Sequence, residues 1–273
     1  MTGEAALTPF DALLLGLVEG ITEYLPVSST GHLILASAVI GRHDDPALKS
    51  FAIVIQLGAI LAVLGLYQAR VVSMLRGLVG RDAAGRRLLS NMIISFIPAA
   101  VLGLAFGGPI KERLFAPLPV AIALALGGLA IFAFEPLRAR RATTGGTVED
   151  VSPRGALLIG FSQCLALWPG TSRSLVTILA GLGAGLRPAA AAEYSFVLGM
   201  LTLGAATLYE LVTEGAMMLE GVGAMPLVVG LLVSFASAAV AVKGFVAWLG
   251  SRGLAPFGVY RLLLAAAVWL TWS

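Results

Sequence analysis

Long runs of apolar residues constrain this chain more than any other feature of its sequence. Six of these runs are long enough, or nearly so, to cross roughly 30 Å of hydrocarbon as helices. They lie at residues 51–68, 91–106, 118–134, 192–212, 226–249 and 257–272. The mean hydropathy is +0.94 and only 12% of the residues are charged, whereas about a quarter are charged in soluble domains. The sequence therefore predicts an all-α polytopic membrane protein.

Two other apolar regions are interrupted near their centres. Residues 10–40 are broken at Leu25–Gly31, and residues 155–186 are broken at Trp168–Ser174. Each break contains a proline, which disfavours helix in the residue before it, followed by Ser or Thr residues that can cap a new helix. Because each half is too short to span a bilayer, we expect two re-entrant helical hairpins whose breaks face protein or a water-filled cavity.

Basic residues are distributed unequally between the two sets of loops that these spans define. The loops at 69–90, 135–154, 187–191 and 250–256 hold Arg70, Arg76, Arg81, Arg86, Arg87, Arg138, Arg140, Arg141, Arg154, Arg187 and Arg252. The opposite side holds only Arg42, Lys49, Lys111 and Arg113. By the positive-inside rule the first side is cytoplasmic, which predicts that both termini lie outside.

The two broken regions also align with each other. The alignment pairs Gly16–Glu19 with Gly160–Gln163, Tyr24 with Trp168 and, after a slip of one residue, Pro26–Thr30 with Pro169–Arg173. Each unit then holds one hairpin and three spans, and because three is odd the second unit is inverted relative to the first. Chance similarity between apolar segments is the alternative explanation.

This alignment predicts the domain organisation. We expect one integral membrane domain over residues 1–273, with repeat one at about 8–134, a linker at 135–154 and repeat two at about 155–273. In an inverted pair the two hairpins enter from opposite faces of the membrane. Their broken tips are therefore expected to meet near the midplane.

Charged residues in the two hairpins indicate a functional site. Glu19 and Glu23 are four residues apart and share one helix face, and Arg173 lies at the second break. Each such charge costs roughly 2.5 to 3.5 kcal/mol at the bilayer centre. An ion pair between Glu23 and Arg173 that only locks the hairpins together is the structural alternative, although such pairs are weak stabilisers.

The segments after the breaks are rich in hydroxyl groups and lead directly into apolar helices. A helix N-terminus offers free amides and a positive dipole end, which bind phosphate. The predicted phosphate-binding residues are Ser28, Thr30, Thr171, Ser172, Arg173 and Ser174. For any one hydroxyl residue, simple helix capping is the alternative role.

The two glutamates beside these predicted phosphate-binding residues favour a catalytic function over simple anion binding. Carboxylates of Glu19 and Glu23 can hold Mg²⁺ or Ca²⁺, and a metal-assisted phosphohydrolase needs such cations around the phosphoryl oxygens. His32 is a candidate general base or a residue that orients a serine, and a satisfied helix residue is the alternative. The loop from Gly41 to Pro46, with His43, Asp44 and Asp45, is instead predicted to be a solvated turn.

Two motifs resemble the signature motifs of the bacterial undecaprenyl pyrophosphate phosphatase family, which is linked to bacitracin resistance. They are Glu19-Gly20-Ile21-Thr22-Glu23-Tyr24-Leu25-Pro26-Val27-Ser28-Ser29-Thr30-Gly31-His32 and Pro169-Gly170-Thr171-Ser172-Arg173-Ser174. The likeness extends to Val54–Val63 and Pro256–Arg261. The resemblance implies removal of the terminal phosphate of a C55 isoprenoid pyrophosphate, which recycles the lipid carrier for peptidoglycan and other envelope polymers.

The same resemblance implies residue roles and a location. Glu19 and Glu23 would be the acidic pair, Ser29 the nucleophile, His32 its partner and Arg173 the phosphate clamp, with Mg²⁺ or Ca²⁺ as cofactor. The resemblance also implies action in the bacterial plasma membrane on lipid from the outer face. Because the basic residues lie in loops between apolar runs, they indicate topology rather than nucleic-acid binding.

The sequence leaves open whether Ser29 or water attacks, which metal binds, which isoprenoid length is preferred and which oligomer forms. It also leaves open whether the chain is instead a transporter or flippase of a phosphorylated lipid. Broken helices that meet at the midplane occur in transporters too.

Overall fold

The computed structural model describes residues 7–41 and 46–272, and this part of the chain is helical apart from connecting turns and one β-bridge. Its helices are α1 (Pro9–Thr22), α2 (Ser29–Val39), α3 (Pro46–Leu66), α4 (Gln68–Leu78), α5 (Ala83–Leu114), α6 (Pro117–Thr144), α7 (Pro153–Cys164), α8 (Arg173–Gly183), α9 (Pro188–Val222), α10 (Ala224–Ser251) and α11 (Ala255–Trp272). Two short 3₁₀ turns lie at Val148–Asp150 and Leu165–Leu167.

The predicted spans correspond to long helices. Five helices, α5, α6, α9, α10 and α11, are long and apolar enough to cross a membrane, and a sixth span results if α3 and α4 are counted together despite the 79° bend between them. The prediction of an all-α polytopic membrane protein is therefore confirmed.

Both broken regions are present as pairs of short helices. Helix α1 has 14 residues and α2 has 11, which correspond to about 21 Å and 17 Å at 1.5 Å per residue. Helices α7 and α8, of 12 and 11 residues, are equally short. None of these four helices reaches across a bilayer alone, as the sequence predicts.

The two hairpins share an unusual N-cap. Ser28 precedes α2 and Ser172 precedes α8, both with a φ of 74°, and they are the described non-glycine residues with positive φ. Glu19 precedes Ser28 by as many residues as Gln163 precedes Ser172, so the segments correspond without any slip. The one-residue slip in the predicted alignment was therefore wrong, because the prolines of the two breaks are not at equivalent positions.

Helix packing joins each hairpin to a long helix of the other half. Helix α1 packs along α10 and α7 packs along α5, while α3 contacts α9 and α6 contacts α11. Glycines allow the close approach, since Gly16 lies against the backbone of Gly230 and Gly160 against that of Ser95. This exchanged packing is the pattern that a repeat would produce. The inverted repeat and its boundaries stay a prediction.

The predicted loops differ from the structure in two places. The loop predicted at 69–90 contains α4, which turns back onto α5, and the linker predicted at 135–154 begins with the last turns of α6. Apolar residues three or four positions apart, at Val71, Met74, Leu75 and Leu78, are the amphipathic signal for α4. Residues 42–45, which include the predicted turn with His43, Asp44 and Asp45, lie outside the described residues.

Candidate functional site

A cavity of about 110 Å³ lies between the two breaks. Hydroxyl, carboxylate and guanidinium groups from both hairpins line it, together with side chains of α3 and α9. The lining consists of Glu23, Ser28, Ser29, Thr30, Gln56, Ala166, Trp168, Pro169, Gly170, Ser172, Arg173 and Leu203. The predicted meeting of the two broken tips is therefore observed within the described residues.

The carboxylate of Glu23 joins the two hairpins at this cavity. Its Oε2 atom accepts a hydrogen bond of 2.5 Å from the Ser29 hydroxyl, and its Oε1 atom accepts one of 3.0 Å from Nη2 of Arg173. The Glu23 and Arg173 side chains are only 5% and 9% exposed. One buried carboxylate thus contacts both a hydroxyl that can lose a proton and a cation that can hold an anion.

Arg173 is held on three sides. Its Nη1 atom donates to the carbonyl of Ser195 at 3.0 Å, and its guanidinium lies 5.1 Å from the centre of the Tyr24 ring. Helix α9 makes room for the group with Gly199, because a Cβ atom at that position would overlap the guanidinium. These contacts place the positive charge at the cavity wall and leave little freedom for it to move.

The N-terminal ends of α2 and α8 lie at the cavity. The hydroxyl of Ser28 accepts from the amide of Gly31, and that of Ser172 accepts from the amide of Leu175, both at 3.3 Å. The first amides of each helix have no carbonyl partner within the helix and carry the positive end of its dipole. Two such ends and Arg173 around one cavity suit an anion with several oxygens, such as phosphate.

The positive φ of the two N-cap serines is strained. A residue other than glycine in this backbone region costs on the order of 1 to 3 kcal/mol, and such residues occur mainly at functional sites. In the described chain this conformation falls on Ser28 and Ser172, both of which line the cavity. This backbone conformation turns both chain segments at residues that line the cavity, immediately before α2 and α8 begin.

Four predicted site residues lie outside the cavity lining: Glu19, His32, Thr171 and Ser174. Glu19 is buried on α1 one turn before Glu23. Ser174 is turned towards the first hairpin, where its hydroxyl donates to the carbonyl of Leu25 at 2.7 Å. In this structure it ties the breaks together rather than facing the cavity.

Both ring nitrogens of His32 contact groups other than the Ser29 hydroxyl. Its Nδ1 atom is 2.7 Å from the carbonyl oxygen of Ser28, which can only accept, so Nδ1 carries a proton. Its Nε2 atom is 2.6 Å from the hydroxyl of Tyr260. Since Ser29 donates to Glu23, the geometry favours Glu23 as the base for this hydroxyl. The catalytic role of His32 stays a prediction. In the structure, the imidazole of His32 holds the main-chain carbonyl of Ser28.

The acidic pair offers limited but suitable ligands for a divalent cation. The Oε1 atom of Glu19 is buried and has no hydrogen-bond partner among the described residues. No cluster of three or more His, Cys, Asp or Glu side chains suited to a metal occurs in 7–41 or 46–272. Mg²⁺ is commonly held by one or two carboxylates, with water and substrate phosphates completing the shell. Glu19 and Glu23 fit that kind of site.

Some residues around the cavity were missed by the sequence analysis. Gln56 of α3 and Trp168 of the second break line it, and Arg261 of α11 is fully buried behind the breaks. Gln56 and Arg261 lie within the predicted spans 51–68 and 257–272. Polar residues inside a span are functional candidates by default, and this signal could have identified both.

These features define a class of protein: an integral membrane protein with a polar cavity between two broken helical regions. The chain belongs to the family described as bacitracin resistance protein BacA, whose model matches residues 12–267. The predicted resemblance is thereby confirmed.

Three curated relatives match nearly the whole chain. The undecaprenyl-diphosphatase of Sorangium cellulosum is 52% identical over 96% of this chain and 86% of its own length. Undecaprenyl-diphosphatase 2 of Rhodospirillum rubrum is 46% identical over 96% of this chain and 94% of its own. The undecaprenyl-diphosphatase of Nitrosomonas europaea is 45% identical over 95% and 93%, respectively.

Proposed function

We propose that this protein hydrolyses undecaprenyl pyrophosphate to undecaprenyl phosphate and inorganic phosphate, and so recycles the lipid carrier of cell-wall synthesis. The observation that carries the proposal is the Glu23 carboxylate, which contacts the Ser29 hydroxyl and the Arg173 guanidinium in one cavity. The names of relatives that share about half of the sequence over nearly its full length support the substrate.

The groups in the cavity divide the reaction between them. Arg173 and the first amides of α2 and α8 hold the terminal phosphoryl oxygens and stabilise charge on them in the transition state. An oxygen of Ser29 or of a water molecule attacks phosphorus in line, and Glu23 accepts the proton that this oxygen loses. The anhydride bond breaks and undecaprenyl phosphate leaves. If Ser29 attacks, water then hydrolyses the phosphoserine.

We further propose Mg²⁺ or Ca²⁺ as the cofactor, with Glu19 and Glu23 as its protein ligands. When bound, such an ion neutralises negative charge on the phosphoryl oxygens.

We expect removal of divalent cations to lower phosphate release by at least about tenfold, because the charge on the pyrophosphate is then only partly neutralised. The measurement is phosphate release from undecaprenyl or farnesyl pyrophosphate in detergent, with and without EDTA, followed by addition of excess Mg²⁺ or Ca²⁺. Full activity in EDTA would contradict the metal assignment and leave hydrolysis intact. Absence of release with metal present would favour a lipid transporter, which needs sealed vesicles for its assay.

Replacement of Gly199 by Ala is expected to lower kcat by roughly 10- to 100-fold, since the new Cβ displaces the Arg173 guanidinium from the cavity wall. Gly204→Ala on the same helix is the matched control, because no described atom lies within 4 Å of its Cβ position. Both changes favour helix by about 1 kcal/mol. Equal activity in the two variants would show that the space left by Gly199 does not position Arg173.

The location in the bacterial plasma membrane and the opening of the site to the outer face are also part of the proposal. Arginines concentrate in the loops on the side where α3, α6 and α10 end, which supports a cytoplasmic position for that side. The first hairpin, with Ser29 and Glu23, then enters from the opposite, outer side. Surrounding lipids and the polyprenyl pyrophosphate are the expected partners.

A further inference from the structure

Arg261 has the largest fully buried side chain in the described part of the protein. No salt bridge to a carboxylate involves it within 7–41 and 46–272. Every hydrogen bond that it makes there goes to a main-chain carbonyl, on five different residues: Pro26, Ala123, Leu124, Gly170 and Thr171. A charge buried in this way is costly unless its donors are satisfied, and here the carbonyl cage satisfies them.

These carbonyls belong to three separate parts of the fold. Pro26 lies in the first break, Gly170 and Thr171 lie in the second, and the other two acceptors are on α6. The distances are 3.1 Å to Pro26, 2.8 Å to Gly170 and 3.1 Å to Thr171. Because the guanidinium is planar and rigid, its nitrogen atoms fix the separation of the groups that they contact. One side chain thus connects both broken tips.

Helix α6 is shaped to receive this group. A Cβ atom at Gly127 would overlap the Arg261 guanidinium, so a glycine is required for the present position. The neighbouring Gly128 lies against Gly258 and Leu262 of α11, which brings the two helices close together. Gly127 therefore makes room for the guanidinium of Arg261, just as Gly199 makes room for that of Arg173.

We infer that Arg261 is a positioning residue for hydrolysis, an inference that rests on the proposed function of the cavity. Pro26 is three residues before Ser29, and Gly170 is three residues before Arg173. Arg261 joins these two points, and so it sets the distance between the attacking side of the cavity and its phosphate-holding side. It acts through the breaks and does not itself line the cavity.

The test compares Arg261→Lys, Gly127→Ala and the double variant in detergent, with kcat, KM and Tm measured for each. Lysine keeps the charge but cannot contact five carbonyls, and the alanine displaces the guanidinium without removing it. We expect kcat to fall by about 10- to 100-fold in each single variant while KM changes by less than about threefold, because the displaced breaks can still bind the phosphate but hold the attacking oxygen at the wrong distance from it. The double variant should lose little more activity than either single variant, since both changes disrupt the same set of guanidinium contacts.

Leu186→Ala is the stability control, because Leu186 is buried in the turn after α8 and is expected to lower Tm without moving the breaks. If the folded fraction of both single variants retains wild-type kcat, or if Leu186→Ala lowers kcat equally at an equal loss of Tm, the inference is wrong. If one single variant does not fold, the other decides. Lack of phosphate release by the wild-type protein would instead refute the proposed function.

Discussion

Replacement of Glu23 by Gln is expected to lower kcat for phosphate release by about 10³-fold, within the range for loss of a general base. Glutamine has nearly the same shape and can still accept a hydrogen bond from Ser29 or Arg173, but it cannot take up the proton of the attacking oxygen. The measurement is kcat and KM with a polyprenyl pyrophosphate in detergent, together with Tm.

Glu112→Gln is the matched control for this variant, because Glu112 is an exposed glutamate at the end of α5. It should retain wild-type kcat. The same experiment addresses the alternative in which the pair with Arg173 only locks the hairpins. In that case Glu23→Gln would lower Tm while the folded protein kept its kcat, and the proposed catalytic role would be excluded.

Replacement of Arg173 by Lys is expected to lower kcat by about 10²- to 10³-fold and to raise KM. Lysine keeps the charge, but its ammonium cannot present the planar pair of donors that arginine offers to phosphate. Loss of one preorganised donor in a site of this kind typically costs about 10²- to 10³-fold. The contacts to Ser195 and Glu23 also cannot both be kept in the present geometry.

Arg154→Lys provides the control for this change, since Arg154 is exposed at the start of α7 and does not line the cavity. Its activity should match the wild type. Activity of Arg173→Lys within a factor of about two of the wild type would show that a positive charge suffices and that the clamp geometry is unimportant.

Much of the architecture could be predicted because each part of it depends on local sequence. Hydropathy alone locates the long helices, since a membrane span requires a long run of apolar residues. Pro26 and Pro169 followed by serines locate the two breaks and the new helices after them. The burial cost of Glu23 and Arg173 in an apolar chain indicates that they belong to a site, and the structure brings both to one cavity.

Three other features were misplaced or missed, each for a different reason. The two prolines occupy different places relative to the N-cap serines, and aligning them produced the incorrect slip. The amphipathic helix α4 lies in a region too polar for a search based on hydropathy alone. The position of His32 depends on Tyr260, more than two hundred residues further along the chain, and no local pattern predicts that contact.

The ion pair between Arg173 and Glu23 also has a consequence for anion selectivity. Within the pair the two charges balance, which lowers the cost of burying either one inside the bilayer. An anion that binds at Nη2 of Arg173 competes with the Glu23 carboxylate, whereas Nε of Arg173 has no hydrogen-bond partner among the described residues. A phosphate presents several oxygens that can each accept from a separate N–H group of the guanidinium, whereas chloride is a single acceptor atom. The pair is therefore expected to favour phosphates over halide ions at this cavity.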